Sequence, residues 1–394
     1  MSEVGLVASN TRVVLIPPVP EDPFEVVTDS DGCFSFSTGW VWGHKLLVYA
    51  DAFHGDSQNV RISAFDTWAD MEAGNLKAPW EVDLHHMGDD ALAIVTVDMK
   101  EDDHAGRIFA WANWVVARLE DELDPGLSGQ KVLRLVSGFG TPYDNNYGIA
   151  TPDTIWLAPS HTSKKFIVAH EVGHWLEHNW IAQGVSPSYQ YSTQDPKCYF
   201  KALGSNSLHG IRSAEFGNAA LAEGFAHYIA TWAFDDPNSS DAIFKYYKEI
   251  DDEEESYVEF KENGQLVSAL GGSCNPTYVD YPESCPQEGF VLGGDSAWVE
   301  RECPTDWSYP DNAVSSELDW LRLFWQLTSP DVSAPTPTGS MHELLQLLDL
   351  TNIGAMEWKH LNAEVGDPAN VGVHDLAARF DYLTTRNGVN NGNG

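Results

Sequence analysis

Positive charge is what this chain most lacks. Twenty-two Lys and Arg stand against 59 Asp and Glu, a formal charge of −37 over 394 residues. Such a surface repels a phosphate backbone and no basic stripe offsets the repulsion, so nucleic-acid binding is disfavoured. Long hydrophobic runs are also missing. None approaches the roughly 18–20 apolar residues of a membrane-spanning helix, so no membrane span is expected. Cysteine is scarce, with Cys33, Cys198, Cys274, Cys285 and Cys303 only. None is spaced as a C-x-x-C metal pair, which leaves disulfides and an oxidising compartment as the expectation. The start, Met-Ser-Glu-Val-Gly-Leu, has neither a basic nor an apolar segment of a signal peptide. Between these two readings we expect an extracellular or periplasmic protein. Internal repeats are absent.

What is present is apolar and aromatic. Hydrophobic residues make up 43%, with 15 Trp, 17 Phe and 14 Tyr, enough for a sizeable core. The length allows two domains, or one with a large appendage. The acidity favours solubility, in high salt or outside a cell.

From Thr11 to about Met99, short β-rich runs alternate with turn residues: Arg12-Val-Val-Leu-Ile, Cys33-Phe-Ser-Phe-Ser, Lys45-Leu-Leu-Val-Tyr-Ala, Val60-Arg-Ile-Ser-Ala-Phe and Ala91-Leu-Ala-Ile-Val-Thr-Val. Residues 1–100 therefore read as a β-sandwich accessory domain, whole or truncated; Asp29-Ser-Asp-Gly-Cys-Phe-Ser-Phe36 resembles the turn–strand signature of transthyretin-like accessory domains, which implies a transthyretin-like or Ig-like sandwich. A charged boundary, Lys100-Glu-Asp-Asp-His104, precedes a second domain over 104–386. Ile108, Phe109, Trp111, Ala112, Val115, Val116 and Leu119 fall at helical spacing. Lys131–Val136 and Thr154–Ala158 read as strands. Helices are expected over about 162–181, 219–232, 240–250, 315–327, 341–350 and 373–384. Residues 263–312 form a Gly/Pro/Cys-rich insertion, and 387–394 a flexible tail.

One stretch carries chemistry on its face: Phe166-Ile-Val-Ala-His170-Glu171-Val-Gly-His174-Trp-Leu-Glu-His178. Helical residues four apart differ by about 40° in direction and ~6 Å in height. His170 and His174 thus share a face and can grip one metal ion. Glu171, rotated by about 100°, can act on water at that ion as a general base. His178 lies ~12 Å along the axis from His170, too far for a straight helix to bring all three rings to one ion. Core histidines satisfied by hydrogen bonds are the competing reading. The metzincin continuation needs Gly at 177 and His at 180, where this chain has Glu177 and Trp180, so that class is excluded.

A second stretch is Ala219-Ala-Leu-Ala-Glu223-Gly-Phe-Ala-His227-Tyr228-Ile-Ala-Thr-Trp232. Its small residues allow close packing, and a lone carboxylate sits in the middle. Buried charges need a partner. For Glu223 that partner is either a metal ion shared with the first helix or an Arg or Lys.

His170-Glu171-x-x-His174 followed by Ala222-Glu223-Gly224-Phe225-Ala226 resembles the gluzincin peptidases. The wording is closest to the Asn-Glu-Gly-Phe-Ala run of the gluzincin aminopeptidases, over about positions 150 to 235. The resemblance implies an α+β protein whose second domain is zincin-like, with a small mixed sheet, an active-site helix and then a mostly helical lobe. It further implies one catalytic Zn²⁺ held by His170, His174 and Glu223, with Glu171 as general base. The strand at Thr154–Ala158 occupies the place of the edge strand that pairs with substrate. The oxyanion donor is sought among His227, Tyr228, His209, Tyr246 and Tyr247, with His227 and Tyr228 the leading candidates.

The chain departs from that pattern in several places. Position 222 is Ala, and 49 positions separate His174 from Glu223. His227 stands where thermolysin-like enzymes carry an Asp that orients a ligand. Gly354-Ala-Met-Glu357 imitates the aminopeptidase exopeptidase motif, but on the wrong side of the zinc helix. The expected function is zinc-dependent hydrolysis of a peptide or protein substrate by a monomer, endo- or aminopeptidase. The alternative is a surface or matrix binding protein with a structural or vestigial zinc site.

Overall fold

A computed structural model of the chain describes residues 9–17, 22–36, 44–55, 60–83, 102–120, 131–137, 148–162, 165–181, 215–234, 301–302, 313–315, 317–328 and 339–351. The chain divides into two units, Met1–Trp175 and Leu176–Gly394. The molecule is mixed α/β with a mixed sheet.

The first unit begins with β1 (Thr11–Ile16), β2 (Phe24–Val27), β3 (Lys45–His54), β4 (Val60–Phe65), α1 (Trp68–Ala73) and β5 (Trp80–Asp83). It continues with α2 (His104–Glu120), β6 (Lys131–Ser137), β7 (Gly148–Ala150), β8 (Thr154–Leu157) and α3 (Lys165–Leu176). All eight strands belong to one sheet, in the order β2-β1-β3-β4-β6-β8-β7, with β5 on the first half of β3. The pairs β4·β6 and β6·β8 are parallel and the rest antiparallel.

This arrangement corrects two expectations. Among the described residues of this unit no second sheet faces the first, so β1–β5 are not a sandwich of their own. They continue across residue 100 into the strands that precede the HExxH helix. The alternation in the text reported strands correctly but carried no information on which strands pair. Similarly, β8 is not at the edge: β6 flanks it on one side and β7 on the other, and β7 is the outer strand. Cys33–Phe36 is irregular, because Asp29 turns the chain there. Its Oδ1 accepts from the N–H of Asp31 and Cys33, and Gly32 has a φ of 71°. The run at 91–97 lies outside the described residues.

The parallel strands explain why β4, β6 and β8 read as nearly continuous apolar text: both faces are covered. The register aligns Ala64, Leu135 and Ile155 in one row, and Phe65, Val136 and Trp156 in the next. The second row packs with Trp68, Met71 and Leu76, from α1 and the segment after it. The first row shares its face with His54, whose ring reaches Asn113 and Glu120 of α2. That face is therefore covered by α2, whose Ile108, Ala112, Val115 and Leu119 are fully buried.

Asp103 starts α2 by accepting from the Gly106 N–H at 2.9 Å, while Lys77 and the Trp80 indole hold the same carboxylate. Gly106 is required there. A Cβ at that position would stand 2.6 Å from the Trp80 ring.

In the second unit, α4 (Gly217–Phe234) packs on α5 (Glu317–Thr328) through Phe225, Tyr228 and Phe324, with ring centroids 5.8–6.1 Å apart. Three short strands, β9 (Glu215–Phe216), β10 (Arg301–Glu302) and β11 (Ala313–Ser315), pair antiparallel in the order β10-β11-β9. α6 (Met341–Thr351) opens on a capping box: Ser340 Oγ accepts from the Glu343 N–H and Glu343 Oε2 from the Ser340 N–H. The helices expected at 240–250 and 373–384 lie outside the described residues. So do Cys198, Cys274, Cys285 and Cys303, and with them the expected disulfides. Cys33 is an exposed free thiol.

Candidate metal centre

The sequence Lys165-Phe-Ile-Val-Ala-His-Glu-Val-Gly-His-Trp-Leu forms α3 because it holds no proline and places Phe166, Val168, Ala169, Val172, Trp175 and Leu176 where each can be buried. The Trp175 indole N–H donates to the Val132 carbonyl of β6 at 3.3 Å, tying the helix to the middle of the sheet. The helix then widens into a π turn over Glu177–Ile181. His178 falls in that turn rather than on the straight helix that carries the other two imidazoles. Glu177, which the pattern of the text did not single out, is a fully buried carboxylate at its start.

Within α3, the Nε2 atoms of His170 and His174 stand 3.1 Å apart, with the rings at 88° to one another. Two nitrogens bonded to one zinc at about 2.0–2.1 Å in a tetrahedron are about 3.3 Å apart. The pair is therefore spaced as two ligands of a single ion, and imidazole nitrogen is a donor zinc accepts. Glu171 lies between them in sequence and is 7% exposed. A carboxylate so enclosed is shielded from bulk solvent, which strengthens its interactions with whatever charge stands near it.

α4 contains a second set of donors. Leu221, Ala222, Phe225, Ala226, Ile229 and Ala230 are fully buried, so this helix is apolar nearly all round. Glu223 at 3% exposure and His227 at 7% interrupt it. They are one turn apart, and a carboxylate oxygen of the first lies within 4.8 Å of a ring nitrogen of the second. α4 itself carries no Lys or Arg.

Tyr228 is placed differently from what its candidacy as an oxyanion donor requires. It is fully buried, with its hydroxyl 2.7 Å from Thr328 Oγ1 on α5. Thr328 donates its own proton to the Phe324 carbonyl, so Tyr228 is the donor in that pair. Its proton is committed to joining two helices. His209, Tyr246, Tyr247 and Gly354–Glu357 lie outside the described residues.

The first unit also holds a polar cluster that the text gave no sign of. Nδ1 of His54 is 2.9 Å from Glu120 Oε2, and Nε2 is 2.7 Å from Asn113 Oδ1. Asn113 donates to the Ser9 carbonyl, Asn10 donates to Glu120 Oε2, and the Gly55 N–H donates to Glu120 Oε1. Burial alone would raise the Glu120 carboxyl. The hydrogen bonds from His54, Gly55 and Asn10, with Coulombic attraction to His54, together hold it below the usual carboxylate range. Asn10 adopts a φ of 53° to make this contact, a conformation Asn tolerates better than most residues.

A mixed α/β protein with an HExxH helix behind a mixed sheet, and a carboxylate–imidazole pair on a second apolar helix, is the class that fold and donors define. No family model and no curated protein matches the chain. Among the described residues, no helix is long and apolar enough to cross a membrane.

Proposed function

We propose that this chain is a zinc-dependent peptidase of the gluzincin type, with a zincin-like fold around α3. His170 and His174 hold the ion together with Glu223, and Glu171 is the general base. The observation that carries this reading is the 3.1 Å approach of the two Nε2 atoms beside an enclosed Glu171. The position of α3, directly after a mixed sheet that ends in an antiparallel strand, supports it.

Zinc bound there supplies Lewis acidity toward a peptide carbonyl and toward water, whose pKa falls to about 7. The chain's own part is acid–base and positional. The Glu171 carboxylate takes a proton from the attacking water and passes it to the leaving amine nitrogen, a role worth about 10²–10⁴ in rate. The Trp175–Val132 hydrogen bond fixes the rotation of α3 against the sheet, and so the direction in which both imidazoles point. His227 and residues outside the described segments are the candidates left for stabilising the oxyanion. The substrate is a peptide or protein met by a monomer outside the cytoplasm.

The test is hydrolysis of casein with metal content measured in parallel. Glu171→Gln keeps zinc and loses at least about a hundredfold in rate; Glu223→Ala loses the zinc. Casein digestion by Glu171→Gln at the wild-type rate removes Glu171 from the mechanism. One observation favours a second reading. His227 stands one turn from Glu223 on α4, and a fourth protein ligand of that kind would suit a closed, structural zinc site in a surface or matrix binding protein. Zinc bound without any hydrolysis by the wild type selects that reading.

A further inference from the structure

We infer that Thr162 and His104 are positioning residues for the proposed peptidase reaction: their hydrogen bond sets where the HExxH helix begins, and through it where Glu171 stands. The inference rests on the peptidase reading above. It stays within the first unit, which holds both residues together with His170, Glu171 and His174.

Three observations carry it. The first is where the two residues lie. Thr162 closes the short turn Pro159–His161 that follows β8, three positions before α3 begins at Lys165, and His104 is the first residue of α2. The second is the bond itself. Thr162 is fully buried, and its hydroxyl donates to the Pro159 carbonyl at 2.9 Å. With that proton committed, the Thr162 oxygen accepts from the Nδ1–H of His104 at 2.8 Å. The third is what stands behind His104. Asp103 caps the Gly106 N–H and is itself held by Lys77 at 2.9 Å and by the Trp80 indole of β5 at 2.7 Å. The start of α2 is thus fixed against the sheet, and His104 hands that fixed point on to the turn before α3.

An imidazole is not what the first turn of a helix asks for. The helix dipole favours anions there, yet α2 has no acidic residue in that turn. Reach explains the choice, since the ring carries a donor across to Thr162. A second contact runs in the same direction: the Lys165 ammonium stands 6.0 Å over the Trp111 ring of α2. Near the other end of α3, Trp175 is bonded to Val132. The helix is therefore held on both sides of His170, Glu171 and His174. Glu171 has to meet first a water and then an amine nitrogen, and a misplacement of about 1 Å costs about a hundredfold in rate.

The experiment measures kcat and KM for casein hydrolysis per bound zinc, with the urea midpoint, in full-length Thr162→Val, Thr162→Ser, His104→Leu and His104→Asn. Thr162→Val and His104→Leu are expected to lose about ten- to a hundredfold in kcat with KM little changed. Thr162→Ser keeps the hydroxyl, and His104→Asn keeps an N–H near the place of Nδ1; both are expected to recover most of that loss. Combining Thr162→Val with His104→Leu is expected to cost no more than the slower single change, because both remove the same contact. Wild-type kcat in Thr162→Val and His104→Leu, whatever their urea midpoints, overturns the assignment and leaves the peptidase reading in place. A loss that neither conservative variant recovers does the same. If Thr162→Val does not fold, the two His104 variants decide. A wild type that hydrolyses no casein overturns the assignment together with the peptidase reading.

Discussion

Two of the histidine sites in the first unit differ in what faces the rings. At His54, each ring nitrogen meets an oxygen acceptor of the chain, Glu120 Oε2 at 2.9 Å and Asn113 Oδ1 at 2.7 Å. Asn10 Nδ2 stands 3.1 Å from the same Nδ1, so the ring is held in a network of side chains from elsewhere in the unit. At His170 and His174, the two Nε2 atoms face each other at 3.1 Å, a separation that fits both an N–H···N hydrogen bond and two ligands of one ion. The first site finishes its own chemistry within the protein. The second is the site at which we propose a metal ion.

The largest effect expected from this contrast is metal dependence confined to the second site. Zinc at a thousandfold excess over its Kd should raise unfolding stability by about 4 kcal/mol. Thermal unfolding with and without chelator checks this, and His170→Ala should abolish the difference. A chelator effect that survives His170→Ala breaks the comparison.

Next comes His54→Ala, which leaves Asn113 and Glu120 without their partner and opens a cavity. About 3 kcal/mol should be lost, read as a lower urea midpoint, with zinc content unchanged. If zinc is lost as well, the two sites are not independent.

Smaller is the effect of Glu120→Gln, about 1–2 kcal/mol near neutral pH. Because its folded pKa is lowered, Glu120 contributes stability that is present above its unfolded value, about 4.3, and lost as the pH falls through the folded one. The acid limb of a stability–pH curve should therefore be shallower in the variant. An identical limb in both proteins removes Glu120 from the acid response.

Smallest is Tyr228→Phe, at about 1 kcal/mol for one lost hydrogen bond between α4 and α5. Casein hydrolysis per bound zinc should stay at the wild-type level. A large drop in kcat with unchanged stability would return Tyr228 to the site.

The sequence was most legible where chemistry and helical period coincide. His170, Glu171 and His174 could be read from spacing alone, because a helix fixes which residues share a face without help from the rest of the chain. The same holds for Glu223 as a buried charge in apolar text. Strands β1, β3, β4, β6 and β8 were legible as strands. Their partners were not: a period of two reports a pleat, while pairing is settled by chain segments far apart. β4 joins β6 across more than sixty positions, and that join carried the expected sandwich into a single sheet.

The His54 cluster was illegible for the same reason. His54, Glu120, Asn113 and Asn10 have nothing in common along the chain, and only the packing of α2 over β3 and β4 brings them together. Tyr228 shows the converse. Its residue type and its place beside His227 were plain in the text, but the direction of its hydroxyl depended on which helix packed against α4.

By itself, then, the sequence determined the acidity, the donor residues on each helix and their spacing, since these are local and follow from residue identity and the 3.6-residue turn. The tertiary structure alone decided that β1–β8 form one sheet, that among the described residues β7 and not β8 is the outer strand on that side, and that the Tyr228 hydroxyl meets Thr328 of α5. Those outcomes depend on contacts between segments distant in the chain, and no local pattern specifies them.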